Sequence, residues 1–302
     1  MELRHLRYFI VIAEELHFGR AAERLHMTQQ PLSQQIRQLE AEIGVLLFHR
    51  TKRRVQLTEA GKAFLEEARQ ILHKASQAVE MARQVARGEN GRLTVGFSGF
   101  ATYSLLPKVL RIFRERFPLV ELELEEMTSS AQVQALQHRQ IHLGLMIPPV
   151  PDAGLVQESI LSEPLVVILP ETHPLATQPE LRLSALAQEP FILVSRHLEP
   201  GYYDLCISLF QQAGFSPKVV QKASQKQTIL SLVSADMGVS LAPASIRNIH
   251  RNGVVYTTLN PLNVEVELVA VWRQDETSTV LQTFVRVIRE IIEQMRSHKY
   301  LM

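Results

Sequence analysis

The sequence predicts a chain of mixed class: an all-α N-terminal unit carrying a short basic hairpin, one long helix, and a C-terminal α/β unit in two lobes. Three observations carry this reading. Apolar residues recur at three-and-four spacing through the early chain. From Thr58 to Arg87 there is no proline and a single glycine, Gly61. Beyond Arg92, short β-branched runs alternate with amphipathic stretches, the pattern of an α/β unit.

At 302 residues the chain exceeds one ordinary domain and suits two or three, each able to bury a core. With 46% hydrophobic and 21% charged residues it lies near the globular average, so folding throughout is expected. The opening MELRHLRYFI breaks its apolar run with charges, and no stretch is long and apolar enough to span a bilayer. The cytoplasm is the expected compartment. The single cysteine, Cys206, excludes an internal disulfide and any cysteine-cluster metal site. No cofactor or metal site is expected.

Leu3, Leu6, Phe9, Ile10 and Ala13 share one face of a first helix over residues 3–15. Ala21, Ala22 and Leu25 mark a short second helix from Arg20 to His26, with small residues that permit close helix contact. Thr28 is the expected N-cap of a third helix, Gln29 to Leu39, with Pro31 in its first turn and Leu32, Ile36 and Leu39 on the buried side. Its other face offers Gln29, Gln30, Ser33, Gln34 and Arg37, side chains that match base edges and phosphates.

A formal net charge of +1 says little about nucleic acid, but its distribution does. RTKRR, from Arg50 to Arg54, places Arg50, Lys52, Arg53 and Arg54 together, flanked by the apolar residues of Val45–Leu57. This reads as a two-stranded wing with a cationic tip suited to phosphates, beside a helix suited to base readout. The predicted partner is double-stranded DNA.

In the long helix, Leu57, Gly61, Phe64, Ala68, Ile71, Ala75, Ala78, Ala82 and Val85 alternate steps of four and three, a heptad seam that calls for a partner helix. A homodimer is expected through it. Gly88-Glu-Asn-Gly-Arg92 closes the helix as a linker. The resulting division is 1–58, 59–88 and 89–302.

In the last part, strands are expected at Leu93–Phe97, Val120–Leu124, Ile141–Leu145, Leu165–Leu169, Phe191–Val194, Gly238–Pro243 and Val264–Trp272. Helices are expected at Leu105–Phe117, Ala131–Gln140, Tyr202–Ala213, Ile229–Ala235 and Thr277–Ser297. Lobe I takes about 92–161 and 268–302, lobe II about 162–267, and the chain crosses near Ser162 and near Glu267. In parallel sheets a ligand sits beyond the carboxyl ends of strands. The loops there carry Ser98, Phe100, Thr102, Thr128, Ser129, Met146, Ser195 and Arg196. Hydroxyls and helix-start amides with few full charges suit a small carboxylate.

The run AAERLHMTQQPLSQQIRQLEAEIGVLLFHRTKRRVQLTEAG resembles the DNA-binding region of LysR-type transcriptional regulators. That resemblance implies a winged helix-turn-helix whose third helix enters the major groove, antiparallel pairing of the long helix, and a periplasmic-binding-protein-like effector domain. It also implies a homotetramer through the effector domains, with RNA polymerase as a further partner. Gln30 stands where a proline is common and Gln34 where an arginine is frequent, so no relative's operator carries over. Relatives that take aromatic-derived diacids often have a serine at the position of Phe100 and a cation near Met146. Both are missing, so a large dianionic effector is not expected. From MELRH and EELHFGRAAERLHMTQQPLSQQI to Thr102-Tyr103 and Pro148-Pro149, the pattern is most similar to the activators of acetoin biosynthesis of Gram-positive bacteria.

Two other classes fit less well. GFSGF at Gly96–Phe100 sits between a strand and a helix like a nucleophile elbow, but lacks the G-x-S-x-G spacing. A solute-binding protein acting alone would leave the first 90 residues unexplained.

Overall fold

In the computed structural model, which describes residues 1–51, 54–151, 154–260 and 264–299, the chain divides into two compact units, Met1–Gln84 and Val85–Met302. The first comprises α1 (Leu3–Glu15), α2 (Phe18–Arg24), α3 (Gln29–Ile43), the hairpin β1 (Phe48–Arg50) and β2 (Val55–Leu57), and all but the last two residues of α4 (Glu59–Ala86). Leu6, Phe9 and Ile12 of α1 meet Leu32, Ile36 and Leu39 of α3 in one fully buried cluster with Leu47 and Phe48. Phe9 ties this core together, its ring 5.3 Å from that of Phe48 and 5.1 Å from that of Phe64. Each such side chain contributes roughly 1.5–3 kcal/mol through burial.

Helix α2 begins two residues before the expected Arg20, and His17 is the reason. Its Nδ1 accepts from the backbone N–H of Gly19 and Arg20 at 3.1 and 3.2 Å, capping the helix as a carboxylate would. Thr28 occupies the N-cap position of α3 in extended backbone, but its side chain makes no capping bond.

The heptad seam of α4 divides. Gly61 and Ala68 are buried, and Phe64 packs on the unit's own core. A Cβ at Gly61 would stand 2.1 Å from the Leu47 carbonyl oxygen, so only glycine lets the helix start against the hairpin. Farther along, Ile71, Ala78, Ala82 and Val85 are exposed, joined by Val79 and Met81, while Ala75 is half-buried.

The second unit runs β3 (Asn90–Phe97), α5 (Gly99–Tyr103), α6 (Leu106–Arg116), β4 (Leu119–Glu126), α7 (Ser129–Gln137), β5 (Leu143–Met146), β6 (Leu155–Pro170), β7 (Glu180–Leu181), β8 (Pro190–Val194), α8 (Pro200–Gln212), β9 (Lys218–Ala223), α9 (Lys226–Ser234), β10 (Ser240–Pro243), β11 (Val254–Leu259), β12 (Glu265–Arg273) and α10 (Thr279–Lys299). One sheet has the order β4-β3-β5-β12-β6-β11-β7, with β10 also on β6, and a second pairs β8 with β9. The expected parallel lobes are in fact mixed. β3 runs parallel to β4 and β5, and β8 to β9, but β12 is antiparallel to β5 and β6, and β10 and β11 are antiparallel to β6.

The physical reason is the crossover. Ser162 and Glu267, the expected crossing points, are register partners on adjacent strands. Up to Pro164, β6 pairs with β12, and from Leu165 it pairs with β10 and then β11. One strand thus serves both lobes, and the returning strand must lie antiparallel to it. Polar residues such as Gln157, Glu158 and Glu163 hide its first half from sequence reading.

Candidate functional sites

Helix α3 presents Gln29, Gln30, Pro31, Gln34 and Arg37 to solvent, with Ser33 half-buried among them. Because Leu32, Ile36 and Leu39 anchor the opposite side, these residues form one continuous exposed strip. Arg37 Nη2 donates to Ser33 Oγ at 3.3 Å, which orients the guanidinium along the strip.

Beside it, Thr51 and Arg54 close the hairpin: Thr51 N–H donates to the Arg54 carbonyl at 2.9 Å and Arg54 N–H to Thr51 Oγ1 at 3.0 Å. The Arg54 side chain is exposed. Lys52 and Arg53 lie outside the described residues. Arg50 is placed differently from a wing-tip cation. Its guanidinium bonds Glu40 Oε2 at 2.6 Å and lies 5.0 Å above the Phe18 ring, so it ties the hairpin to α3 and α2.

In the second unit, a cleft of about 360 Å³ opens between the lobes. Of the expected residues it is lined by Phe100, Thr102 and Thr128. The other five are elsewhere. Ser98 and Met146 are buried in the strand layer, where their neighbours exclude them from the cleft. Ser195 is half-buried and outside the lining. Arg196 is exposed and engaged by Asp204, with Nε–Oδ1 at 2.7 Å and Nη2–Oδ2 at 2.9 Å. Ser129 is buried behind the cleft wall, where its Oγ donates to Glu199 Oε2 at 3.2 Å from one lobe to the other.

A cation that does line the cleft is Lys226, at the start of α9. Its ammonium is enclosed, 4.0 Å from the centroid of the Tyr202 ring, and among the described residues it has no hydrogen-bond partner. Burial pushes it down to about 8, against the opposing pull of Cys206 and Glu199. Glu199 is itself raised above the usual carboxylate range by burial, partly offset by Ser129 and Lys226. Tyr103 OH is likewise enclosed without a partner, and burial together with the Glu199, Glu163 and Glu126 carboxylates raises it far above the ordinary phenol value. Tyr202 OH donates to the Leu241 carbonyl at 2.7 Å, fixing the ring beneath Lys226.

Sequence reading missed Lys226, Glu199 and Tyr103, although Glu199 lies in the same loop after Val194 as Ser195 and Arg196. Lys226 follows β9, an edge strand with too many polar residues to be recognised. Glu199 and Tyr103 sit at helix ends.

Other chemistry is not supported by the geometry. Ser98 precedes α5 with its Oγ buried and unpartnered among the described residues, so it is no exposed nucleophile. His138 and His142 stand four residues apart, but α7 ends at Gln137, so no helix carries both. His138 Nδ1 pairs with the Gln134 carbonyl and His142 Nδ1 with the Thr94 N–H. Among the described residues no cluster could hold a metal, and no helix is long and apolar enough to cross a membrane.

Residues 3–62 match the bacterial regulatory helix-turn-helix protein, lysR family, and residues 86–292 match the LysR substrate binding domain. The chain is 43% identical over 287 residues to the HTH-type transcriptional regulator AlsR of Bacillus subtilis (strain 168), covering 95% of each. It is also 43% identical over 295 residues to IlvR of Caulobacter vibrioides (strain ATCC 19089 / CIP 103742 / CB 15), covering 96% of this chain and 98% of that one. Among solved structures, CbnR, a LysR family transcriptional regulator, superposes with a TM-score of 0.89 at 32% identity, covering 95% of this chain and 100% of the other. Full-length CbnR complexed with its target DNA gives 0.85 at 32% identity, covering 97% and 100%. With both halves matched in order, and with regulators and not enzymes as relatives, the chain belongs to the LysR family of DNA-binding transcriptional regulators.

Proposed function

We propose that this regulator reads its operator with the exposed strip of α3, neutralises adjacent phosphates with the hairpin, and activates transcription from the cytoplasm in response to a small organic acid. The observation that carries the DNA reading is the strip itself: Gln29, Gln30, Ser33, Gln34 and Arg37 on one face, all exposed except the half-buried Ser33. Gln and Arg are the forked donors that discriminate bases in the major groove. The relative CbnR has been crystallised on its target DNA, which supports the same use here.

Pairing of two chains through the later part of α4 is supported by its exposed Ala78, Val79, Met81, Ala82 and Val85. Assembly of effector domains into a tetramer is supported by two strand edges of opposite charge. β4, at one end of its sheet, exposes Glu121, Leu124 and Glu125, whereas β9 exposes Lys218, Val220 and Lys222.

The cleft is the proposed effector site. A ligand touching both lobes favours one lobe orientation, and in an assembly that bias re-spaces the DNA-binding units. Similarity to AlsR makes acetoin-biosynthesis genes the first targets to test, and recruitment of RNA polymerase the first mode. Footprinting on the chain's own upstream region, with and without acetate and other short acids, tests the reading. A protected site whose length or bending changes with acid is expected. No protection at any upstream site overturns it.

A further inference from the structure

The cleft holds more charge than a small monoacid needs. Two residues of its lining carry enclosed donors without hydrogen-bond partners among the described residues, the Lys226 ammonium and the Tyr103 hydroxyl. Two carboxylates, Glu126 and Glu199, line the same space. Glu126 Oε1 and Tyr103 OH flank a single spot, lying 3.8 and 3.9 Å from where a Cβ on Gly99 would stand. Much of the remaining wall is apolar: Phe100, Ile147, Val194, Leu198 and Ile249.

Each simple ligand leaves part of this set unsatisfied. A neutral molecule leaves an enclosed ammonium unpaired, which is costly. A monoanion satisfies Lys226 but adds negative charge beside two carboxylates, and a diacid does so twice. An amine suits the carboxylates and repels Lys226. A molecule with both charges one carbon apart meets both ends and leaves the net charge of the cleft unchanged.

We infer that the effector is zwitterionic, an α-amino acid with an apolar side chain, its carboxylate held by Lys226 and Tyr103 and its ammonium by Glu126 and Glu199. This rests on the reading of the cleft as the effector site and names the acid it takes. The cleft's 360 Å³ lies at the small end of ligand sites, which run from about 300 to 1,000 Å³, and suits one amino acid and not a peptide. The ammonium of the ligand also favours the charged form of Glu199, since a neighbouring cation opposes the effect of burial.

The test uses the full chain and matched probes. Thermal shift with L-alanine, L-valine, L-leucine, L-methionine and L-phenylalanine selects the side chain. Calorimetry then compares the best with its relatives lacking one charge; for leucine these are 4-methylpentanoate and 3-methylbutylamine. The amino acid is expected to bind at least about tenfold more tightly than either, about 1.4 kcal/mol. Lys226→Met should abolish its advantage over the amine, and Glu126→Gln its advantage over the acid, with Lys226→Arg as a charge-retaining control for folding. If 4-methylpentanoate binds as tightly as leucine, and Lys226→Met weakens both, the cleft remains an organic-acid site and the zwitterion is rejected. If amino acids bind but ignore both substitutions, the assigned contacts are wrong. If neither amino acids nor acetate and short acids bind, the effector reading falls with this one.

Discussion

Arg50 Nη2 lies 2.6 Å from Glu40 Oε2, and the other oxygen of that carboxylate accepts the backbone N–H of Leu47 at 2.9 Å and of Phe48 at 3.1 Å. Glu40 belongs to α3, and its three donors belong to the hairpin and its approach. One buried carboxylate therefore fixes how the hairpin stands relative to the candidate recognition helix. Its charge is balanced by a guanidinium that is itself stacked over Phe18 and Phe48, at 5.0 and 5.9 Å.

Glu40→Ala should destabilise the first unit by about 3–5 kcal/mol, because it strands two buried N–H donors and one partly buried cation. Operator and random DNA binding should fall together at temperatures where the unit has begun to unfold. Thermal melts and gel-shift titrations at two temperatures check this. Wild-type melting with lost DNA binding would show instead that Glu40 or Arg50 meets the DNA.

The exposed strip and the hairpin should fail in different ways. Gln34→Ala should reduce preference for operator over random DNA by about 1–3 kcal/mol while leaving random-DNA affinity nearly intact. Arg54→Ala should weaken both alike and lower the slope of log affinity against log salt by about one. Fluorescence anisotropy at several salt concentrations separates the two. A specificity loss from Arg54→Ala would move that residue from backbone to base contact.

Much of the fold was legible because its signals are local. Of the expected stripe, Leu6, Phe9 and Ala13 are buried, and with the anchor Leu32, Ile36, Leu39 they specify α1 and α3 from spacing alone, although Leu3 is exposed and Ile12 takes the remaining core position. What was not legible depends on partners distant in sequence. Nothing local says that Arg50 turns inward, because its reason is Glu40, ten residues earlier, together with Phe18. Likewise Arg196 looked like a ligand cation until Asp204 claimed it, one helical turn into α8. Of the cleft, sequence reading reached Phe100, Thr102 and Thr128, which follow recognisable strands. It missed Lys226, whose importance arises from Tyr202 and Glu199 closing around it.

The division of the α4 seam makes a contrast between two substitutions. Ala78→Glu, in the exposed portion, should place a charge in the helix pair and dissociate the dimer while the first unit melts normally. Ala68→Glu, in the buried portion, should unfold that unit outright. Light scattering at micromolar concentration reads the first and circular dichroism the second. Unchanged mass for Ala78→Glu would mean that the chains associate elsewhere.

Lys226 should trade stability for binding. With its ammonium lowered to about 8 from an ordinary 10.5, the folded chain binds fewer protons than the unfolded chain between those values. Stability therefore rises with pH through that window, and below pH 8 the whole cost of enclosing the ammonium persists. Lys226→Met removes the cost. At pH 7 and without ligand, the variant should be more stable by about 2 kcal/mol, a figure reduced because the stem of the side chain still reaches solvent. That corresponds to a Tm increase on the order of 5 °C for a unit of this size. The gain should shrink as pH rises from 8 through 10.5, above which wild-type Lys226 is neutral in both states. Carboxylate binding by the wild type should weaken over the same range, since it needs the charge that stability is better without. Paired melts at pH 7 and 10 and calorimetry at pH 7 and 9 check both halves. A variant less stable than wild type at pH 7 would mean that Tyr202 and Glu199 already compensate the ammonium, leaving it no need of a ligand.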